Sequence, residues 1–191
     1  TTWSVPDGNY FGLRGTNGAF PFFQGETVDA ISGATPLSQM KFDHIFAPVS
    51  DLALGSTSGS LGETGGIVIL IVGVYLMIRK IINWRVPVSI LVTVVLLSGI
   101  FWIIDPEIYP NPGFMLFSGG LLLGTFYMAT DLVTSPITPK GLWYYGIGIG
   151  ILIVLIRLVG GLPEGVMYAI LLMNAATPLL NRFTKIKPYG H

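Results

Sequence analysis

Hydrophobic positions are spread unevenly along this chain. Through residue 63 apolar and polar residues mix with no sustained period, and Gly, Ser and Pro recur at short intervals. Pro6-Asp7-Gly8 and Thr16-Asn17-Gly18 read as turns. From residue 64 the texture changes. Apolar residues crowd into five runs, near 64–82, 86–104, 113–130, 142–159 and 164–180. A helix needs about 20 residues to cross the hydrocarbon core, within a range of about 17–25. The second and third runs meet that length easily. The others reach it only by including Arg79, Arg157 or Glu164 near their ends. The pattern predicts an all-α integral membrane protein in three parts: an irregular segment over 1–63, a bundle of five transmembrane helices over 64–182, and a tail over 183–191.

The run boundaries carry helix-end chemistry. Ser60-Leu-Gly-Glu63 fits a capping box before the first run. Asn111-Pro112 and Gly161-Leu-Pro163 supply start signals for the third and fifth. Trp84, Trp102, Trp143 and Tyr144 fall at boundaries, where an amphipathic ring favours the headgroup layer. Gly120-x-x-x-Gly124 and Gly146-x-x-x-Gly150 allow helices to approach closely. Gly119-Gly120 and the pair Pro136/Pro139 are places where helices can be interrupted around a cavity.

Composition sharpens the class. The 191 residues are 51% hydrophobic and only 10% charged, against roughly 25% charged in soluble domains. Zero formal net charge gives no reason to expect nucleic acid as a partner. The absence of cysteine excludes disulfides, thiolate metal sites and cysteine nucleophiles. His44 and His191 are too few and too far apart for a histidine metal cluster. The chain opens Thr-Thr-Trp-Ser-Val-Pro, without an initiating methionine or a signal-peptide pattern, so its true N-terminus is left open.

Charge in the connections sets an orientation. Arg79, Lys80 and Arg85 lie in the first and Lys140 in the third, with Arg182, Lys185 and Lys187 in the tail. The second holds Asp105 and Glu107. Basic residues mark the cytoplasmic side. Residues 1–63, with six acidic and two basic residues, are thus expected outside the membrane, and the C-terminus inside. Arg157 falls near the outer end of run four, where it either snorkels or pairs with Glu164. Asp131, with Thr134 and Ser135, groups a carboxylate and two hydroxyls at an inner end. That set reads either as a sodium-binding cluster on an ion pathway or as a solvated turn.

One polar stretch does not belong to a lipid-facing pattern: Asp29-Ala-Ile-Ser-Gly-Ala-Thr35. On residue types it is a surface turn or a modification site. Thr35 has no nearby base apart from Lys41 and His44 some way along, so it is not a self-sufficient nucleophile. Its hydroxyl, flanked by Gly33 and Ala34, is accessible to another enzyme, and Asp29 can orient the loop or a metal.

Asp29-x-x-Ser32-Gly33-Ala34-Thr35 resembles the recognition pattern of the flavin transferase that joins FMN to a threonine hydroxyl by a phosphoester. Further segments strengthen the resemblance: Gly62-Glu-Thr-Gly-Gly66, Ile81-Ile-Asn-Trp-Arg-Val-Pro87, Gly124-Thr-Phe-Tyr-Met-Ala-Thr-Asp131, Thr134-Ser-Pro136, Gly160-Gly-Leu-Pro-Glu-Gly165 and Leu171-Leu-Met-Asn174. Across residues 25–182 the chain is similar to the D subunits of Rnf complexes, with a common plan in the B subunits of sodium-translocating NADH:quinone reductases.

The resemblance implies a urea- and ammonium-transporter-like inverted-repeat fold, of which this chain holds the second repeat behind the flavin-bearing segment. It implies covalent FMN on Thr35, with room for riboflavin or a second flavin in the complete protein. It also implies a role in an ion-translocating ferredoxin:NAD oxidoreductase of the prokaryotic plasma membrane. The partners expected are the other subunits of that complex, the flavin transferase, the lipid bilayer, and sodium ions or protons. Phe20, Phe22, Phe23, Phe42 and Phe46 pack either on the flavin ring or on the bundle. A quinone-reductase subunit and a non-redox solute channel of the urea-transporter type are the alternatives; a channel has no use for the flavin motif.

Overall fold

The computed structural model describes residues 35–43, 48–54, 65–106 and 108–184. All regular structure among them is helical. Two short helices, α1 (Pro36–Asp43) and α2 (Val49–Leu54), precede the apolar runs. The runs form α3 (Gly66–Ile78), α4 (Arg85–Ile104), α5 (Pro112–Phe117), α6 (Leu121–Leu123), α7 (Pro139–Leu158) and α8 (Val166–Phe183). A π-helical turn over Gly124–Met128 continues α6. Asp29, Ser32, Gly33, Ala34, the Ser60–Glu63 box and the phenylalanines other than Phe42 that were expected near a ring lie outside the described residues.

Two helices, α4 and α7, are long and apolar enough to cross a membrane. They form the centre of the bundle, and the glycines of α7 explain how. Gly146 and Gly150 face Ser89 and Thr93 of α4, and a side chain at either glycine would collide with them. Both hydroxyls are satisfied inside their own helix: Ser89 Oγ donates to the Val86 carbonyl at 2.9 Å and Thr93 Oγ1 to that of Ser89 at 2.7 Å. Small groups therefore line a close helix contact without orphaned polar atoms. Ile90, Val94, Ile149 and Ile153, all at 0% exposure, extend the contact into the core with Met115, Leu121, Phe126 and Tyr145.

The third apolar run departs from the expected continuous span. Asn111 caps α5, its Oδ1 accepting from the Gly113 amide at 2.8 Å with Pro112 in the first turn. The helix stops after two turns, where Ser118 turns extended and Gly119 takes φ +62°. Only glycine fits there, because an added Cβ would also strike the Glu164 and Leu37 side chains. Helical structure resumes at Leu121 and widens into the π turn, closed by the Ala129 amide on the Gly124 carbonyl at 2.8 Å. The chain between Gly119 and Gly120 is thus a helix break, at the place the adjacent glycines indicate.

The first run is also shorter as a helix than as an apolar segment. α3 has 13 residues, about 20 Å at 1.5 Å per residue. It ends where Lys80 takes a positive φ of 56°. α8 begins at Val166, later than the run pattern predicts, because residues 159–165 form the turn that presents Glu164.

Candidate functional site

The bundle has two chemically different ends. Trp84 meets Trp143 edge to face at 6.0 Å, with the Arg85 guanidinium 5.6 Å above the Trp84 ring. The Ile137 amide donates to Asn181 Oδ1 at 3.1 Å, and the Thr138 and Thr184 hydroxyls bond to each other. Those contacts bring Arg85, Lys140 and Arg182 to one end, together with Arg79 and Lys80 past the C-terminus of α3. This basic end matches the charge pattern of the connections. The opposite end carries α1, α2 and the helix break.

Thr35 stands at the start of α1. Its carbonyl accepts from the Gln39 amide at 3.0 Å, and its Oγ1 accepts a long 3.4 Å bond from the Ser38 amide. Pro36 follows in the first helical position, where its missing N–H is no loss. Thr35 is therefore the N-cap, a partly exposed residue at the positive end of the helix dipole. That environment fits a phosphoester. The only bond the hydroxyl makes among the described residues is weak, and the amides of Leu37 and Ser38 lie in the first turn, where anions are favoured.

α1 is fixed to the bundle at two points on one face. Leu37 and Lys41 are four residues apart, hence neighbours on the helix surface. Leu37 is 1% exposed; it packs in a cluster with Met40, Leu52 and Phe114 and reaches the backbone of Gly119 at the break. Lys41 Nζ donates to three carbonyls: Leu162 at 2.8 Å, Arg157 at 3.0 Å and Ile156 at 3.2 Å. An ammonium has three protons to give, and here each has an acceptor. Ile156 and Arg157 lie in the last turn of α7, where carbonyls lack partners within the helix. Burial lowers the Lys41 pKa from its ordinary 10.5. This cost of desolvation is present in full below the lowered pKa and fades as pH rises toward 10.5.

Arg157 occupies the break itself. It is fully buried, donating from Nη1 to the Met115 carbonyl at 2.7 Å and from Nη2 to that of Ser118 at 3.0 Å. Nη2 also meets Glu164 Oε1 at 3.2 Å, while Glu164 Oε2 accepts from the Gly120 amide at 3.3 Å. The cation sits on the carbonyl end of α5 and the carboxylate on the amide start of the following piece. Each charge thus opposes the dipole end it faces. Of the two readings for Arg157, pairing holds and snorkelling does not.

The remaining predicted residues are placed less suggestively. Asp131 is exposed and closes a local turn: Oδ1 accepts from the Val133 amide at 3.3 Å, Oδ2 from Thr134 Oγ1 at 3.1 Å, and its carbonyl from the Ser135 amide at 3.2 Å. These residues come together, at the basic end, in the geometry of an ordinary turn. Among the described residues no three acidic or histidine side chains group as metal ligands. Phe42 is 64% exposed, so it does not pack on the bundle. At the α1 end, Trp102, Tyr109 and Phe114 line a cleft of about 330 Å3 with Pro48, Val49 and Asn111. Sequence reading named Lys41 only as a distant base. Its bonds to carbonyls more than a hundred residues away leave no local signature.

Comparison with known proteins bears on this geometry. The profile of the NQR2, RnfD, RnfE family matches residues 1–190. The chain is 43% identical, over 85% of its length and 52% of the relative's, to the D subunit of the proton-translocating ferredoxin:NAD(+) oxidoreductase complex of Clostridium ljungdahlii. It is 42% identical, over 85% of its length and 50% of the relative's, to the D subunit of the Na(+)-translocating ferredoxin:NAD(+) oxidoreductase complex of Acetobacterium woodii. The D subunit of the ion-translocating oxidoreductase complex of Stutzerimonas stutzeri is 39% identical over the whole chain and 58% of its own length. The chain thus spans about half the length of the curated relatives it matches.

Proposed function

The chain belongs to the NQR2, RnfD, RnfE family, and from that membership we propose that it is the flavin-bearing part of a D-type subunit in an ion-translocating ferredoxin:NAD oxidoreductase. In this reading Thr35 carries FMN through a phosphoester and the subunit relays electrons. The observation that carries the proposal is the placement of Thr35. The threonine that completes the transferase motif caps a helix docked on the bundle; the residue is partly exposed and its hydroxyl weakly engaged.

FMN, when bound, exchanges one or two electrons and so joins one-electron to two-electron carriers. The chain contributes position and field. The amides of the first turn of α1 stabilise phosphate charge. Leu37 and Lys41 hold the helix against the bundle. Trp102, Tyr109 and Phe114 offer aromatic walls on the same end. Asp29, Ser32, Gly33 and Ala34 serve the flavin transferase during maturation.

In the wider reading the protein lies in the plasma membrane of a prokaryote, with five crossings in this part of the chain. The α1 end faces outward and the basic end the cytoplasm, as the positive-inside rule requires. The relatives' names divide between protons and sodium ions, so the coupled ion is either. Asp131 with Thr134 is the candidate cluster for ion entry at the basic end.

The test is a denaturing gel of the full-length protein co-expressed with the flavin transferase. Under ultraviolet light the band fluoresces, and Thr35→Ala abolishes the fluorescence without lowering the amount of protein. A dark wild-type band with an active transferase present contradicts the proposal.

A further inference from the structure

A surface lysine normally keeps its ammonium in water and bends its stem along apolar surface. Lys41, while still partly in water, turns its ammonium onto main-chain carbonyls. Its three donors are spent on the Ile156, Arg157 and Leu162 carbonyls at 2.8–3.2 Å, and it gives up hydration to do so. Two of these carbonyls end the helix that supplies Arg157, and the third belongs to the loop leading to Glu164. One turn earlier on the same face, Leu37 rests on Gly119 beside the Glu164 carboxylate. A single short helix thus grips both sides of the Arg157–Glu164 pair and begins at Thr35.

We infer that Lys41 is a positioning residue for the cofactor: it locks the Thr35-bearing helix onto the broken-helix charge pair and so fixes the flavin relative to the membrane bundle. The inference rests on the proposed attachment at Thr35 and goes beyond it. Attachment alone needs an accessible threonine; it does not need the following helix to be held. A group tethered to a loose segment samples a wide volume, whereas one tethered to a helix anchored at two points samples little. Electron transfer over a fixed gap benefits from the second arrangement.

The same anchoring joins the cofactor to the break. Glu164 meets the Gly120 amide and Arg157 together, and its carboxylate borders Gly119 beside the Leu37 side chain. A shift of α1 therefore displaces the carboxylate that neutralises the buried guanidinium. Lys41 and Leu37 are the contacts through which such a shift passes.

The measurement is the time-resolved fluorescence anisotropy of covalent flavin in the full-length protein within its assembled complex, beside the flavin-to-protein ratio from intact mass. Wild type shows mostly slow depolarisation. Lys41→Met keeps the flavin-to-protein ratio, and fast local motion becomes the dominant share of the decay. Lys41→Arg, which retains a cation with several donors, restores the slow decay. Leu37→Ala loosens the other anchor with no change of charge; it supports the inference by the same gain of fast motion should Lys41→Met fail to assemble. An unchanged decay in Lys41→Met or in Leu37→Ala at full flavin content overturns the positioning role and leaves the attachment at Thr35 standing. A wild-type mass without flavin removes both, and the mass separates that outcome from the other.

Discussion

At the scale of single residues, the strongest commitment in this molecule is the burial of Arg157. A guanidinium taken out of water is tolerated only when its donors are met and its charge opposed. Here the Met115 and Ser118 carbonyls take donors from Nη1 and Nη2, and Glu164 opposes the charge. Glu164→Gln keeps an oxygen for the amide of Gly120 but removes the counter-charge of the buried cation, and destabilises by about 3 kcal/mol. Glu164→Ala loses the acceptor for the Gly120 amide as well, which costs about 1 kcal/mol more. Thermal unfolding of the purified full-length protein in detergent should rank wild type, Gln and Ala in that order. A Glu164→Gln midpoint equal to that of wild type would remove the charge argument. The pair was visible in the sequence as two opposite charges in an apolar setting, seven residues apart. The carbonyls under Arg157 were not visible, because main-chain acceptors have no residue type. Lys41 was hidden for the same reason.

At the scale of elements, patterns in the chain identified the helix starts best where side chain and backbone act within a few residues. Asn111-Pro112 opens α5 as its residue types dictate. Thr138-Pro139 opens α7 in the same way, with Thr138 Oγ1 accepting from the Gly141 amide at 3.0 Å, although the apolar pattern alone puts that start three residues later. Hydropathy could not show that the third run is interrupted; Gly119 and Gly120 could. The close packing of α4 on α7 was legible in the spacing of Gly146 and Gly150, and its partners Ser89 and Thr93 were not. Gly150→Leu forces a large side chain against Thr93 and the Ile90 carbonyl. Overpacking of this kind destabilises by about 1–3 kcal/mol. The same detergent unfolding assay should show the loss, while Gly161→Leu, where nothing lies within 4 Å of an added Cβ, should stay near wild type.

At the scale of the whole molecule, the described residues form a bundle with a basic end and an end carrying the Thr35 helix. The distribution of Lys and Arg anticipated that division, since it depends only on composition between apolar runs. The docking of α1 and α2 against the break did not follow from any periodicity, because both helices are short and their apolar residues few. Natural absence of cysteine makes orientation easy to measure. In intact cells a membrane-impermeant thiol reagent should label Phe42→Cys and spare Val133→Cys; both positions are exposed, at 64% and 88%. Labelling of Val133→Cys alone would invert the assigned orientation.

The proposed phosphoester at Thr35 is the most consequential expectation. The direct measurement is tandem mass spectrometry of the peptide spanning Asp29 to Lys41, from full-length protein matured with the flavin transferase. The account predicts an added mass of FMN less one water, with fragment ions placing it on Thr35. An unmodified Thr35 in that material, or the same mass located on another residue, contradicts it.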